Sequence, residues 1–261
     1  MVKTFEDKVV VVTGAGSGIG QATALSFLRA GARVALVDVN ENAIKETKII
    51  AKNDDIDTGP KILCITADVS KSEYIQNMIK SVVGHWGRLD VLHNNAGIGG
   101  QHGPIVDIDD DNFDQVIAVN LRSVWLGMKY AIPVMLEQGG GVIINTGSAL
   151  SLAAIPFGSP YIASKHAVAG ITKAVSQEYA AQNIRINAVC PGVIETPLIS
   201  KNIEAIGVTE EDPSANPVML HPMGRLGRAQ EIADAVLWLA SDASSFVTGT
   251  TLSVDGGWTS R

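Results

Sequence analysis

Short apolar runs alternate with longer amphipathic segments along this chain. The run "KVVVVTG" (8–14) is apolar at successive positions and ends in glycine, which is typical of a strand buried on both faces of a parallel sheet. The next segment has apolar residues at helical spacing and closes at Gly31, as a helix does. The same alternation predicts strands at 8–14, 33–38, 61–66, 89–94, 141–147, 184–189 and 251–255. It predicts helices at 18–30, 41–52, 71–86, 111–136, 160–181 and 228–241.

This alternation of strands and helices favours right-handed crossovers. It predicts an α/β fold, a doubly wound, seven-stranded parallel sheet of Rossmann type with helices on both faces. We expect residues 1–261 to form a single domain. Two segments interrupt the alternation. The polar segment 53–60 is predicted to be a surface loop, and the proline-containing segment 194–224 is predicted to be a lid over a substrate.

Composition and charge narrow the classes of function. Hydrophobic residues make up 46% of the chain, enough for a sizeable core. The net charge of −7 and the lack of a basic run disfavour nucleic acid and anionic membranes as partners, and no apolar stretch is long enough to span a bilayer. Two lone cysteines, Cys64 and Cys190, suit a reducing compartment such as the cytoplasm. The five histidines have no zinc-ligand spacing, so no metal site is expected.

A glycine-rich turn, "TGAGSGIG" (13–20), joins the first predicted strand to the first helix. Gly14 permits a sharp turn, Gly18 lets a pyrophosphate approach the backbone, and Gly20 allows close packing of helix on strand. Ser17 and Ile19 complete the predicted binding turn. The spacing departs from G-x-G-x-x-G because Ile19 stands at its last glycine position, and an ordinary strand–helix turn is the alternative.

An acidic residue, Asp38, ends the second predicted strand 18 residues after Gly20. A carboxylate at this place accepts hydrogen bonds from both ribose hydroxyls of a dinucleotide and repels a 2′-phosphate. The following residues, Val39 and Asn40, are not basic, so the sequence predicts NAD rather than NADP. The alternative role for Asp38 is the N-cap of the next helix.

Polar residues follow the later strands. "NNAG" (94–97) follows the fourth strand, Ser148 follows the fifth, and "YIASK" (161–165) opens the next helix. Because ligands bind beyond the carboxyl ends of parallel strands, we expect these residues to converge on one edge of the sheet. Tyr161 and Lys165 are four residues apart and share a helical face; taken alone, they are equally well an ordinary surface pair.

These motifs together resemble the short-chain dehydrogenase/reductase family, and the resemblance extends over nearly the whole chain. It rests on "TGAGSGIG", "ADV" (67–69), "NNAG", Asn120, Ser148, "YIASK", "PG" (191–192) and "VDGG" (254–257). It implies an NAD-dependent oxidoreductase that transfers a hydride between nicotinamide and a secondary alcohol or ketone. It also implies a homotetramer, with a dimer as the alternative.

The catalytic roles follow from chemistry and from the resemblance. Tyr161 is predicted to be the general acid/base, and a cation at Lys165 would favour its phenolate and hold the nicotinamide ribose. Pro160 suits the first helical turn, and Ser159 is the predicted cap. Ser148 would bind the substrate oxygen. In the family, the residue at Asn120 holds a water that links the lysine to solvent.

The remaining predicted cofactor contacts follow the strand ends: Val39, Asp68, Val69, Asn94, Ala96, Gly97, Pro191, Gly192, Val193 and Thr196. Among these, the Val193 backbone is expected to face the nicotinamide amide, and a helix cap is the alternative for Asp68.

The predicted substrate pocket is mostly apolar. Leu150 is expected to contact the substrate, together with Ser148 and Tyr161. No arginine or lysine lies within 148–160, which disfavours strongly acidic substrates. Two other functions stay open on the residues alone: a non-catalytic NAD-binding regulator, and a lyase or epimerase that uses NAD transiently.

Overall fold

The computed structural model describes residues 4–54, 56, 59–199 and 217–260. The strands are β1 (Val9–Thr13), β2 (Arg33–Asp38), β3 (Ile62–Thr66), β4 (Val91–Asn94), β5 (Gly141–Thr146), β6 (Ile184–Pro191), β7 (Ile194–Glu195), β8 (Gly227–Arg228) and β9 (Thr251–Val254). The helices are α1 (Gly18–Arg29), α2 (Glu41–Asn53), α3 (Ser72–Trp86), α4 (Asp110–Ile117), α5 (Ser123–Glu137), α6 (Ser159–Tyr179) and α7 (Ala229–Ala240).

Seven of the strands form one parallel sheet in the order β3-β2-β1-β4-β5-β6-β9, and β7 and β8 pair separately. The predicted doubly wound parallel sheet is therefore confirmed. The strand order reverses between β1 and β4, which creates a crevice beyond the carboxyl ends of these strands.

The central strand β1 shows why its sequence is continuously apolar. Val10 and Val12 pack against α1, α2 and α7 on one face of the sheet. Val9 and Val11 pack against α3, α5 and α6 on the other face. All four side chains are fully buried, and burying each contributes on the order of 1.5–3 kcal/mol.

The predicted helix at 111–136 is instead two helices, α4 and α5, joined by a π-helical turn at Ala118–Arg122. Asn120 lies in this turn, where its amide donates to the carbonyl of Ile98 and accepts from the N–H of Ile98, both at 2.8 Å. These bonds tie the turn to the loop after β4. Local helix propensity does not predict this interruption, because the hydrogen bonds join residues that are far apart in the chain.

Part of the predicted lid, residues 200–216, lies outside the described residues. Its described ends are β7 with the residues up to 199, and a short 3-10 turn at Pro217–Leu220. No helix in the described ranges is long and apolar enough to cross a membrane.

Candidate active site

A cavity of about 920 Å³ opens where the strand order reverses. Its walls come from segments at the carboxyl ends of six strands, from β1 to β6, together with parts of α4 and α6. The predicted residues that line it are Gly14, Ser17, Gly18, Ile19, Asp38, Val39, Asp68, Val69, Ala96, Gly97, Ser148, Tyr161, Lys165, Pro191, Gly192 and Thr196. Most of the predicted cofactor and catalytic residues therefore converge on one cavity.

The glycine-rich turn has the backbone that its sequence predicts. Gly14 and Gly18 have φ of 68° and 53°, values that favour glycine. A Cβ at Gly20 would lie 2.1 Å from the Gly14 carbonyl oxygen, so α1 packs on the turn only with glycine there. Gly20 therefore shapes the turn without lining the cavity.

The Asp38 carboxylate is held by two backbone groups. Its Oδ2 accepts from the N–H of Gly16 and its Oδ1 from the N–H of Asn40, each at 3.0 Å. The α2 cap is Asn40, whose side chain accepts from the N–H groups of Asn42 and Ala43. The alternative role of Asp38 as that cap is therefore wrong, and its oxygens stay at the cavity wall.

Asp68 lies just before α3 but does not occupy its N-cap position, where Lys71 stands. Its Oδ1 accepts from the N–H of Ser70 at 2.9 Å in a local turn. The helix-cap alternative for Asp68 is thus wrong as well, and the residue lines the cavity.

Tyr161 and Lys165 both point into the cavity from the first turns of α6. Lys165 is buried, with its Nζ 5.5 Å from the Tyr161 ring centroid and 2.8 Å from the Thr146 carbonyl oxygen to which it donates. The pair is therefore not an ordinary surface pair. Ser159 is already within the helix and makes no capping bond, while Gly158 occupies the N-cap position, so the predicted serine cap is wrong.

In the protein alone, burial is the largest cause of the pKa shifts of Tyr161 and Lys165. It raises the pKa of Tyr161 above its ordinary value, against the opposing effect of a hydrogen bond with Ser148. Burial also lowers the pKa of Lys165 to about 8. The chain by itself thus does not lower the pKa of Tyr161 as the lysine pairing predicted, because desolvation of the phenolate outweighs the effect of the Ser148 hydrogen bond.

The hydroxyl of Ser148 is oriented by a short helical turn. Its Oγ accepts from the N–H of Leu150 at 3.1 Å, while the Ser148 N–H donates to Ser151 Oγ at 3.0 Å. Ser151 Oγ in turn donates to the carbonyl of Lys165 at 2.8 Å. The bond from the Leu150 N–H uses only an acceptor lone pair of Ser148 Oγ. The hydroxyl proton of Ser148 can therefore still be donated into the cavity.

Several predicted site residues lie outside the cavity wall. The Asn94 side chain is buried and donates to Asn145 Oδ1 at 2.9 Å. A Cβ at Gly127 of α5 would approach Asn94 Oδ1 to 2.3 Å, so this amide packs against the helix layer. At the end of β4 the Asn94 side chain thus points toward that helix layer and away from the cavity, so it is not placed to contact a cofactor there, and only a contact through its backbone stays a prediction.

The predicted contacts of Val193 with the nicotinamide amide and of Leu150 with the substrate also differ from the structure. The Val193 N–H donates to His221 Nε2 at 3.0 Å, so it is not available to a nicotinamide amide, and the Val193 carbonyl accepts from the Gly227 N–H at 2.9 Å. The neighbouring Ile194 lines the cavity instead. Leu150 is buried in the turn after β5 and contributes its backbone N–H, not a substrate contact.

The Asn120 side chain is fully buried and engaged with the protein. Besides its two bonds to Ile98, its amide donates to Ser164 Oγ at 3.2 Å. The residue fastens the loop after β4 to the start of α6. A water relay through Asn120 stays a prediction.

Three comparisons bear on this site. A family model described as enoyl-(acyl carrier protein) reductase matches residues 14–259. Cyclohexanol dehydrogenase of Acinetobacter sp. (strain SE19) is 40% identical over 263 residues, which cover 100% of this chain and 98% of that protein. The crystal structure of levodione reductase gives a TM-score of 0.94 at 36% identity, covering 98% of this chain and 99% of its own. This chain belongs to the short-chain dehydrogenase/reductase family.

A second solved structure of the family contains a nicotinamide cofactor. It is 3-ketoacyl-(acyl-carrier-protein) reductase from Brucella melitensis complexed with NADH, with a TM-score of 0.87 at 32% identity, covering 97% of this chain and 99% of that chain. As a short-chain dehydrogenase/reductase, the chain is a hydride-transfer oxidoreductase of alcohols or ketones that uses a nicotinamide cofactor. The non-catalytic regulator has no support among these matches.

The cavity of this short-chain dehydrogenase/reductase fits a dinucleotide. The Ser17 side chain does not cap α1, so the first-turn N–H groups of this helix are available to a pyrophosphate. A Cβ at Gly18 would lie 3.0 Å from Thr196 Cγ2, so only glycine leaves the space between the turn and Thr196 open. The described residues hold no cluster of His, Cys, Asp or Glu suited to a metal ion.

Sequence reasoning missed two residues of the cofactor side. Gly16 donates to Asp38, and a Cβ there would lie 2.9 Å from Asp38 Oδ2. Asn95 lines the cavity and its amide donates to the Thr13 carbonyl at 2.9 Å, which ties β4 to the glycine-rich turn. The sequence signal for Asn95 is the asparagine doublet at the end of the fourth strand, whose other member, Asn94, is buried.

Proposed function

We propose that this chain is an NAD-dependent oxidoreductase of a secondary alcohol or ketone on an apolar, cyclic frame. One observation carries the proposal: Ser148, Tyr161 and Lys165 line the same cavity as the Asp38 carboxylate. The first three groups suit proton transfer at a carbinol oxygen, and the fourth suits an unphosphorylated ribose.

A nicotinamide dinucleotide held along this cavity would supply or accept the hydride. Tyr161 donates its phenolic proton to the substrate oxygen during ketone reduction and removes the hydroxyl proton during alcohol oxidation. Ser148 donates a hydrogen bond to the same oxygen and orients it. Lys165 binds the nicotinamide ribose, and its charge, together with that of the oxidised cofactor, favours the tyrosine phenolate. Asn120 holds the loop after β4 against α6 so that this geometry persists.

The NAD preference rests on Asp38. Its two oxygens lie at the cavity wall at the end of β2, where they would accept from the adenosine ribose and repel a 2′-phosphate. We expect Asp38→Ser to weaken apparent NAD affinity about tenfold and to admit NADP, because one charge-assisted bond is worth about 1.5 kcal/mol.

Steady-state kinetics with both cofactors test this preference. Asp114→Ser is the matched control, because it removes a carboxylate from the same cavity but on α4 rather than at the end of β2. A wild-type preference for NADP, or an equal effect of the two substitutions on cofactor choice, would show the assignment to be wrong.

The apolar frame of the substrate is supported by the cavity and by the relatives. Ile98, Leu198 and Ile199 line the cavity together with the catalytic groups. Cyclohexanol dehydrogenase and levodione reductase are named for substrates of this kind. A spectrophotometric screen of NADH formation over cyclic alcohols, linear secondary alcohols, sterols, polyols and sugars tests the class. Turnover confined to sugars and polyols would contradict it.

We also propose a homotetramer in the cytoplasm. Large apolar side chains on α5, on α7 and in the turn after α7 are exposed, and they suit burial between subunits: Trp125, Leu136, Trp238 and Phe246. Both cysteines are free thiols, as expected in a reducing compartment. Size-exclusion chromatography with light scattering tests the assembly, and a monomer at micromolar concentration would contradict it.

A further inference from the structure

A buried imidazole lies behind the cavity wall formed by the end of β6. Pro191, Gly192 and Ile194 line that wall. His221, only 4% exposed, accepts from the Val193 N–H at its Nε2 over 3.0 Å. The neutral ring must therefore carry its proton on Nδ1, since a ring nitrogen that accepts has no hydrogen of its own.

The imidazole is fixed from its other side by the C-terminal segment. Its ring packs edge-to-face on Trp258, with centroids 5.8 Å apart and planes at 70°. The turn at Gly256, with φ of 59°, would place any Cβ 3.3 Å from His221 Cβ. The Met223 N–H also donates to the Gly256 carbonyl at 3.1 Å. His221 thus connects the wall of the cavity to the chain end.

Gly192 lies directly against the imidazole ring of His221. A Cβ at that position would lie 2.6 Å from His221 Nε2, so the segment approaches the imidazole only with glycine there. The Gly192 N–H donates to the Val254 carbonyl at 3.1 Å. The N–H groups of Gly192 and Val193 therefore hold this stretch of the wall in place, one bound to the last strand and one to the histidine.

We propose that His221 is a positioning residue that sets the backbone of 191–194 against the nicotinamide end of the cavity. This inference rests on the proposed function, because it assumes that a dinucleotide lies along that wall. His221 acts through Val193 and does not itself line the cavity. Loss of its acceptor nitrogen leaves the Val193 N–H without its partner and lets Ile194 shift.

Two substitutions separate the hydrogen bond from simple filling of space. His221→Phe keeps an aromatic ring beside Trp258 but removes the acceptor, whereas His221→Gln keeps an acceptor oxygen near the Val193 N–H. His85→Phe is the matched control, because exposed His85 also packs edge-to-face on a tryptophan, Trp86, far from the cavity.

Amide hydrogen exchange on the full-length, cofactor-free protein is the first measurement, since it does not depend on function. We expect the peptide that covers 190–199 to lose protection in His221→Phe and to keep it in His221→Gln and His85→Phe. Equal protection of this peptide in wild type and His221→Phe would overturn the inference, whether or not the protein binds NAD.

Binding and turnover form the second measurement. We expect His221→Phe to raise the dissociation constant for NADH and the KM for NAD about tenfold, with a smaller change in kcat, and His221→Gln to stay within about threefold of wild type. If the two variants lose affinity equally, the acceptor nitrogen is not responsible and the inference fails. A wild type that binds no dinucleotide would refute the proposed function instead, and the exchange result would stand separately.

Discussion

At the scale of single residues, the proton transfer that we propose depends on Tyr161, whose phenol stays protonated in the protein alone because burial raises its pKa. Burial raises the pKa of Tyr161 and lowers that of Lys165 to about 8. Such opposed shifts are expected where two ionisable groups share a dry cavity. We therefore expect the phenolate to form when the positive charge of an oxidised cofactor lies beside it, which would couple base formation to cofactor binding.

Replacement of the phenol tests the main catalytic role. We expect Tyr161→Phe to lower kcat at least about a hundredfold, because general acid–base catalysis contributes at least that factor, and to leave NADH binding nearly unchanged. Tyr130→Phe is the control, since it removes a hydroxyl that contacts only Ser72 at 2.9 Å among the described hydrogen bonds. Turnover of Tyr161→Phe above about one hundredth of wild type would refute the assignment.

A second buried group, His93 on β4, governs acid stability. Burial lowers its pKa to about 3, so the unfolded chain binds more protons than the folded protein between pH 6.5 and 3. The free energy of unfolding should therefore fall as the pH falls through this window, by roughly 3 kcal/mol at pH 4.5, since each of the two pH units below 6.5 contributes about 1.4 kcal/mol.

Denaturant unfolding of His93→Phe at pH 7 and pH 4.5 checks this dependence. The variant loses a 2.9 Å bond to Thr146 Oγ1, so a lower stability at pH 7 is expected. Its fall between the two pH values should be smaller than that of wild type by the same roughly 3 kcal/mol. Parallel falls in the two proteins would show that His93 is not the group responsible.

At the scale of elements, α1 packs closely against the glycine-rich turn because Gly20 has no side chain. A Cβ at Gly20 would lie 2.1 Å from a backbone oxygen, which cannot move as a side chain can. Gly170 of α6 has the opposite surroundings, because it is exposed and a Cβ there would meet no neighbouring atom within 4 Å.

Alanine at these two positions should therefore have effects of opposite sign. We expect Gly20→Ala to lower the free energy of unfolding by about 3 kcal/mol through displaced backbone, and to weaken dinucleotide binding. Gly170→Ala should raise it by about 0.5–1 kcal/mol, since alanine favours the helix. Chemical denaturation measures both, and a stable Gly20→Ala would contradict the packing argument.

At the scale of the whole molecule, Arg185 on β6 ties the chain end to the sheet. Its guanidinium donates to the carbonyls of Leu239, Ser241 and Val247 and to Ser244 Oγ, at 2.8 to 3.3 Å. These partners end α7 and lead into β9, so a single fork fixes the segment that carries the last strand.

Loss of these Arg185 hydrogen bonds should lower the free energy of unfolding of the whole protein. We expect Arg185→Met to cost about 2 kcal/mol of unfolding free energy, because several half-buried carbonyls lose a charged donor, and Arg185→Lys to recover only part of it. Arg29→Met, which breaks an exposed ion pair with Asp54, should cost no more than about 0.5 kcal/mol. Thermal and urea unfolding compare the three, and equal losses would contradict the assignment.

The sequence by itself determined what local pattern and spacing encode. Apolar runs predicted the seven parallel strands, because a strand buried on both faces needs no polar side. The positions of the glycine-rich turn, Ser148, Tyr161 and Lys165 at the ends of strands predicted that these residues would meet, and they line one cavity. Only the tertiary structure decided which asparagine of the doublet lines the cavity, how Asn120 interrupts the long helix, and that His221 supports Val193. These features depend on contacts between residues far apart in the chain, so they leave no periodic signal in the sequence. The pKa shifts of Tyr161 and Lys165 likewise depend on burial, which only the folded structure determines.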